Sequence, residues 1–177
     1  MSDNKNLINK ILTISLGLSV LVVIAGALFI AFGPTDFLKD YVSSNELKEV
    51  EFETLKLGTL EDEYLACPED FCLEATPNII APRFTQTITQ LRTVLLDYVD
   101  RDRTITPQSM DIAKQQFTFL VHDQPKPFPD VVTVRFIDLY GQYSSVAIYS
   151  RTEIGKTKKG VNEKRVSRWL ALLSKNE

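Results

Sequence analysis

The chain has 177 residues, a formal net charge of −3 and a pI near 5.3. An acidic balance of this kind carries no electrostatic footprint for nucleic acid, whose binding needs a basic surface, and no nucleic-acid partner is expected. The 44% hydrophobic content, with ten Phe and six Tyr, excludes a disordered chain. The charge is unevenly spread: residues 36–74 hold twelve Asp or Glu against three Lys, whereas residues 151–168 hold seven Lys or Arg against two Glu.

Residues 11–32 contain no ionisable side chain. At about 1.5 Å per residue they reach across the ~30 Å hydrocarbon core of a bilayer, and Ser15, Ser19 and the glycines are too few to make a polar face. The segment reads as a transmembrane helix, with the lipid bilayer as its partner. A cleaved signal peptide is the competing reading, since Lys5 and Lys10 form a positive flank and Ala25-Gly26-Ala27 resembles a cleavage motif, but the apolar run continues through Leu28, Phe29 and Ile30. Lys5 and Lys10 face only Lys39 beyond the helix, which favours a cytoplasmic N-terminus over residues 1–10. The remainder is then extracytoplasmic on a single-pass inner-membrane protein, and periplasmic in a Gram-negative cell.

Gly33-Pro34 ends the helix, and the acidic run over residues 33–63, poor in apolar repeats, is read as a stalk or peripheral segment. One domain of residues 64–177 follows, of a size that buries a core. Residues 86–101 place Ile88, Leu91, Val94, Leu95 and Val99 at helical spacing, with Thr85 as the candidate cap. Alternation predicts three strands around Phe117-Val121, Val132-Phe136 and Val146-Ser150, the last two joined as a hairpin through Gly141. Val166, Trp169, Leu170 and Leu173 predict a closing helix, with Asn162 at its N-cap. The expected fold class is α+β: an antiparallel sheet covered on one face by two helices, behind a single N-terminal transmembrane helix.

Cys67 and Cys72 are the only cysteines. Their spacing is too wide for a thioredoxin-type pair and lacks zinc partners; in an exported domain it reads as a short structural disulfide, with free thiols and a redox thiol as the other readings. His122, the sole histidine, stands beside Asp123 at a strand end with no nucleophile elbow or paired-histidine motif in the chain. No metal site, cofactor loop or catalytic set is read from the sequence.

The run from Ser150 to Arg165 passes from a strand into a helix start. Its Gly155 and Gly160 permit tight turns, and Arg151, Lys156, Lys158, Lys159 and Arg165 surround a helix N-terminus suited to an anion, although no Walker pattern is present. The plainer reading is a solvated basic loop that balances the acidic segment.

An ordered set of residues is similar to a bacterial membrane or exported family, domain of unknown function 1499, over most of residues 64–173. The set comprises Cys67-Pro68 with Cys72, Phe128-Pro129-Asp130-Val131-Val132, and Ser150-Arg151, Gly155, Gly160-x-Asn162 and Arg165 ahead of Trp169-Leu170. The chain departs from that pattern at Asp70-Phe71, Glu153 and Lys158, where the family carries Pro-Asn, a basic and an acidic residue. The resemblance implies a fold and a topology; it implies no reaction.

The functional expectation is a membrane-anchored, non-catalytic binding or assembly module that offers Arg151, Gly155, Lys156, Gly160, Asn162 and Arg165 to a membrane or envelope protein complex. The alternative is an envelope enzyme, a hydrolase or thiol-dependent protein, or a binder of an anionic ligand or lipid head group through loop 150–165. An enzyme or anion site predicts one concave pocket around these residues; a structural role predicts that Arg151 and Asn162 are buried in turn contacts.

Overall fold

The computed structural model describes residues 15, 17, 19–24, 47, 49–58, 60, 62–155 and 157–175. The chain divides into two units, Met1–Glu49 and Val50–Glu177. In the first, residues 15, 17 and 19–24 are helical and exposed, and Ser19 Oγ donates to the Ser15 carbonyl at 2.9 Å. Among the described residues no helix is long and apolar enough to cross a membrane. The rest of the predicted span 11–32 lies outside the described residues.

The second unit is α+β. A 3-10 turn over Phe52–Thr54 precedes β1 (Glu63–Cys67), β2 (Ile79–Ile80), α1 (Ile88–Arg101), β3 (Ile105–Asp111), β4 (Gln116–Val121), β5 (Asp130–Leu139), β6 (Tyr143–Arg151) and α2 (Val161–Ser174). The six strands form one sheet in the order β2-β1-β6-β5-β4-β3. The three predicted strands are β4, β5 and β6, each paired antiparallel to its neighbour. The sheet as a whole is mixed, which corrects the purely antiparallel expectation: β2 runs parallel to β1, with Ala66 opposite Ile79. A two-residue strand leaves no alternating pattern to read, which is why periodicity missed it.

Alternation along each strand sorts the core into two layers. Ala66, Phe117, Phe119, Val132, Val134, Phe136, Val146 and Ile148 point to one face, where Leu91, Leu95 and Val99 of α1 and Val166, Trp169, Leu170 and Leu173 of α2 cover them. Trp169 is held edge-on by Phe119 and Tyr98, with ring centroids 5.7 and 6.2 Å away. The opposite parity, Leu65, Cys67, Ala147 and Tyr149, meets Val50, Phe52 and Cys72, with Leu55, Leu57 and Phe71 packed beside them.

That second layer corrects two expectations. The sheet is covered on both faces, and the compact unit begins at Val50 rather than at residue 64, so the later part of the acidic 33–63 segment is no stalk. Four apolar side chains spread over residues 50–57 follow neither helical nor strand spacing. Burial in an irregular segment leaves no periodic trace.

The cap of helix α1 is Thr87, two residues beyond the predicted Thr85. Thr87 Oγ1 accepts from Gln90 N at 3.3 Å while Gln90 Oε1 accepts from Thr87 N at 2.8 Å, a reciprocal capping box. The edge strand β3 carries Pro107 and a register shift between Pro107 and Ser109, both of which discourage further pairing.

Candidate functional site

The strand register brings one end of the sheet together from distant parts of the chain. Glu63 at the start of β1 pairs with Arg151 at the end of β6, Arg151 with Val131, and Val121 at the end of β4 with Asp130 at the start of β5. The β4–β5 connection, with Asp123 and Lys126, and the N-terminus of α2 close over the same end. Because β6 alternates, Ser150 points to the helix face and Arg151 to the other, so the predicted site residues divide between two clusters.

On the helix face Arg165 is 1% exposed. Its Nε and Nη2 donate to the two Asp123 carboxylate oxygens at 3.3 and 2.7 Å, Nη2 donates also to Asp130 Oδ2 at 2.7 Å, and Nη1 donates to Ser150 Oγ at 3.0 Å and Asn162 Oδ1 at 2.5 Å. A guanidinium has five N–H donors, and all five are taken. Asn162, fully buried, donates from Nδ2 to Asp62 Oδ2 at 2.7 Å and to the Asp62 carbonyl at 2.9 Å, while its Oδ1 also accepts from Ser150 Oγ at 2.6 Å.

Asp130 is fully buried and accepts from Thr152 Oγ1 at 2.5 Å and from Lys126 Nζ as well as from Arg165. Burial alone pushes its carboxyl up; the hydrogen bonds from Lys126 and Thr152 and the Arg165 charge outweigh that, and hold it below the usual carboxylate range. Burial of an ion pair costs several kcal/mol per ion unless partners are close and well aligned, and here each charge has at least two.

The predicted N-cap role of Asn162 is corrected. The cap residue is Gly160, in the left-handed region at φ 80°, and the carboxylate facing the first turn comes from Asp62, which accepts from Gly160 N and Asn162 N at 3.4 Å each. Asn162 is thereby released to turn inward. A carboxylate at this position also answers the helix dipole, which removes the attraction for an outside anion.

On the second face Arg151, 4% exposed, donates from Nε to Glu153 Oε1 at 2.7 Å and from Nη1 to Thr133 Oγ1 at 3.4 Å, and its guanidinium lies 5.2 Å from the centre of the Tyr149 ring. Tyr149 Oη donates to Glu63. Burial, then the Glu63 hydrogen bond and charge, push the phenol up well beyond its ordinary value.

Gly155 has φ 81°, and a Cβ there would meet the Phe128 ring at 3.9 Å, so its use is a backbone turn. Lys156 lies outside the described residues. Lys158, Lys159 and Lys164 are exposed, with Glu163 among them. Cys67 and Cys72 form a disulfide and are buried. Cys67 ends β1 and His122 follows β4; these are opposite ends of the sheet with β6 and β5 between the two strands, so they do not form a catalytic pair. Asp123, beside His122 in sequence, is committed to Arg165.

Of the partners that complete the network, Asp62, Lys126 and Thr152 carry no expectation from the sequence, Asp123 enters only as the neighbour of His122, and Asp130 only within the Phe128–Val132 pattern. Asp130 had a signal. It heads an apolar strand and shares parity with Val132, Val134 and Phe136, which puts a carboxylate on the core face and calls for a buried cation. Asp62 had none, since it acts a hundred residues away from the helix it caps.

Comparison with known proteins adds no relative: no family model matches the chain, and neither does any curated protein.

Proposed function

We propose that this is a membrane-tethered, non-catalytic binding or assembly module, anchored in the inner membrane through residues 11–32, with its α+β unit outside the cytoplasm. The observation that carries the reading is the division within residues 150–165. Arg151, Asn162 and Arg165 face inward with their polar atoms engaged by the protein itself, while Lys158, Lys159 and Lys164 of the same segment are exposed. The buried residues act as a frame, and the lysines are the surface presented to an acidic patch of a membrane or envelope protein.

This modifies the expectation that Arg151 and Arg165 meet the partner directly. It also disfavours the anion-binding and thiol-dependent alternatives, because an incoming phosphate or carboxylate finds no unused guanidinium N–H on Arg165 and the two cysteines are joined. The disulfide supports an oxidising compartment. Kinship with domain of unknown function 1499 belongs to the same proposal: its characteristic Asp130, Ser150, Arg151, Asn162 and Arg165 are buried members of the two clusters, as expected where a pattern marks a fold.

The test is affinity purification of the tagged full-length chain in mild detergent beside a Lys158→Glu, Lys159→Glu, Lys164→Glu variant. A stoichiometric partner lost in the variant supports the reading. A partner retained in the variant removes the lysine surface from it, and no partner with either protein counts against an assembly role.

A further inference from the structure

The outward face of α2 carries a charge pattern that the buried network does not use. Lys164, Arg168, Ala171 and Lys175 are all exposed, at spacings of four, three and four residues. At ~100° of turn per residue these positions fall within about 60° of arc and form one row, roughly 16 Å long, along the helix. Lys158 and Lys159, also exposed, stand immediately before the cap residue Gly160. Lys158, Lys159, Lys164 and Lys175 make no ion pair among the described residues, while Arg168 shares its charge with Tyr98 and Asp102 of α1.

Three features of the surroundings narrow what fits this row. It is one side chain wide: round the helix it is flanked by Glu163, Ser167 and Ser174 on one side and by the half-buried Val161 and Leu172 on the other. Helix α1 lies beside α2 in the same layer and exposes Asp97 and Asp100, so a flat anionic surface pressed on both helices sets like charges against each other. Finally, α2 exposes no large apolar side chain that would enter a bilayer.

A narrow, linear polyanion meets all three conditions. An α-helix supplies one when its carboxylates stand four, three and four residues apart, because those positions share one side of a helix. That spacing reads the same in either direction, so a parallel or an antiparallel partner is in step with the row. Ala171, in the middle, carries no long side chain to hold the two helix axes apart.

We propose that the element recognised by this surface is an acidic α-helix of a membrane or envelope protein, lying along α2 with its carboxylates opposite Lys164, Arg168 and Lys175. The inference rests on the reading of the lysines as the presented surface and adds to it the form of the partner and two residues, Arg168 and Lys175.

The experiment is fluorescence anisotropy of labelled peptides on the full chain, in a non-ionic detergent at low ionic strength. The matched peptide is an Ala- and Gln-based helix with Glu at four positions spaced four, three and four apart. One control has the same composition with the Glu residues spread round the helix, and a second is the matched peptide interrupted by Pro. Saturable binding of the matched peptide is expected, at least about fivefold tighter than either control, and it should be lost at about 0.5 M salt. Arg168→Gln with Lys175→Gln should weaken it about fivefold, the size of two exposed ion pairs. Because Arg168 also touches α1, Lys175→Glu alone is measured beside it, and an unchanged unfolding midpoint separates lost binding from lost folding.

No saturable binding, equal binding of the matched and control peptides, or binding unchanged in both variants overturns the proposal. So does displacement of the matched peptide by dihexanoyl phosphatidylglycerol at equal charge concentration, which identifies a lipid surface as the occupant. A dimer of the chain that sediments without peptide and dissociates in the same variants overturns it in favour of a second copy. Equal binding of all peptides that is still abolished by Lys158→Glu, Lys159→Glu, Lys164→Glu removes the helical partner and leaves the lysine surface standing; binding that survives this variant as well removes both.

Discussion

Replacing Arg165 by Met keeps much of the side-chain volume and removes the guanidinium, so the loss isolates the charge and its hydrogen bonds. The change strands Asp130, which is fully buried, and Asp123, whose side chain is 18% exposed. Removing one partner of a buried pair costs about 3–5 kcal/mol in general. Asp130 keeps Lys126 and Thr152, and Asp123 can turn toward water, which places the expected cost near the lower bound, about 3 kcal/mol. For a compact unit of this size that corresponds to a fall of roughly 10 °C in Tm. Urea unfolding followed by the fluorescence of Trp169, the only tryptophan and itself on α2, is the natural assay. The Arg165→Met, Asp130→Asn double variant should be at least about 1 kcal/mol more stable than the sum of the single losses predicts, because each change relieves the charge left by the other. A cost below about 0.5 kcal/mol for Arg165→Met, the range of ordinary surface substitutions, would refute the idea that this network holds the helix to the sheet.

Other consequences can be read in stability measurements. Asp130 titrates lower in the folded chain than the ~3.9 of an unfolded Asp, so its contribution is complete above that value and is lost as pH falls through the folded value; Asp130→Asn should flatten this acid limb of an unfolding-midpoint profile. Tyr149 shifts the other way: its stabilisation is intact below the ~10 of an unfolded phenol and declines at higher pH, and Tyr149→Phe should remove that alkaline loss. Gly160→Ala forces a side chain into the left-handed region at φ 80° and should cost about 1–2 kcal/mol in the same urea assay. Reduction of the Cys67–Cys72 bridge, or Cys67→Ser with Cys72→Ser, should cost about 2 kcal/mol for so short a loop, and reductant should leave the melting of the double serine variant unchanged.

Much of the fold was legible because it is periodic. Leu91, Leu95 and Val99 on α1, the four apolar positions of α2, and the alternating residues of β4, β5 and β6 all carry their burial in their spacing. Val50, Phe52, β2 and the Asp62 cap do not: the first two are isolated apolar residues in an irregular, acidic stretch, β2 is too short to alternate, and Asp62 acts on a helix a hundred residues away. The site was half legible. Sequence picked out Arg151, Asn162 and Arg165 as unusual, yet charge density suggested a surface, and nothing local indicates that an arginine will be turned inward. That information sits in the facing carboxylates, of which Asp130 alone was detectable by strand parity.

The central claim is that Arg165 is a saturated internal strut, with no donor left for a ligand. Its guanidinium protons, observed by NMR in the full chain, test this directly. Five bonded donors predict separate, slowly exchanging Nη and Nε resonances that do not move when inorganic phosphate is added. Rapidly exchanging, averaged Nη protons, or resonances that shift on titration with phosphate, would contradict the account and return Arg165 to the surface as an anion-binding residue.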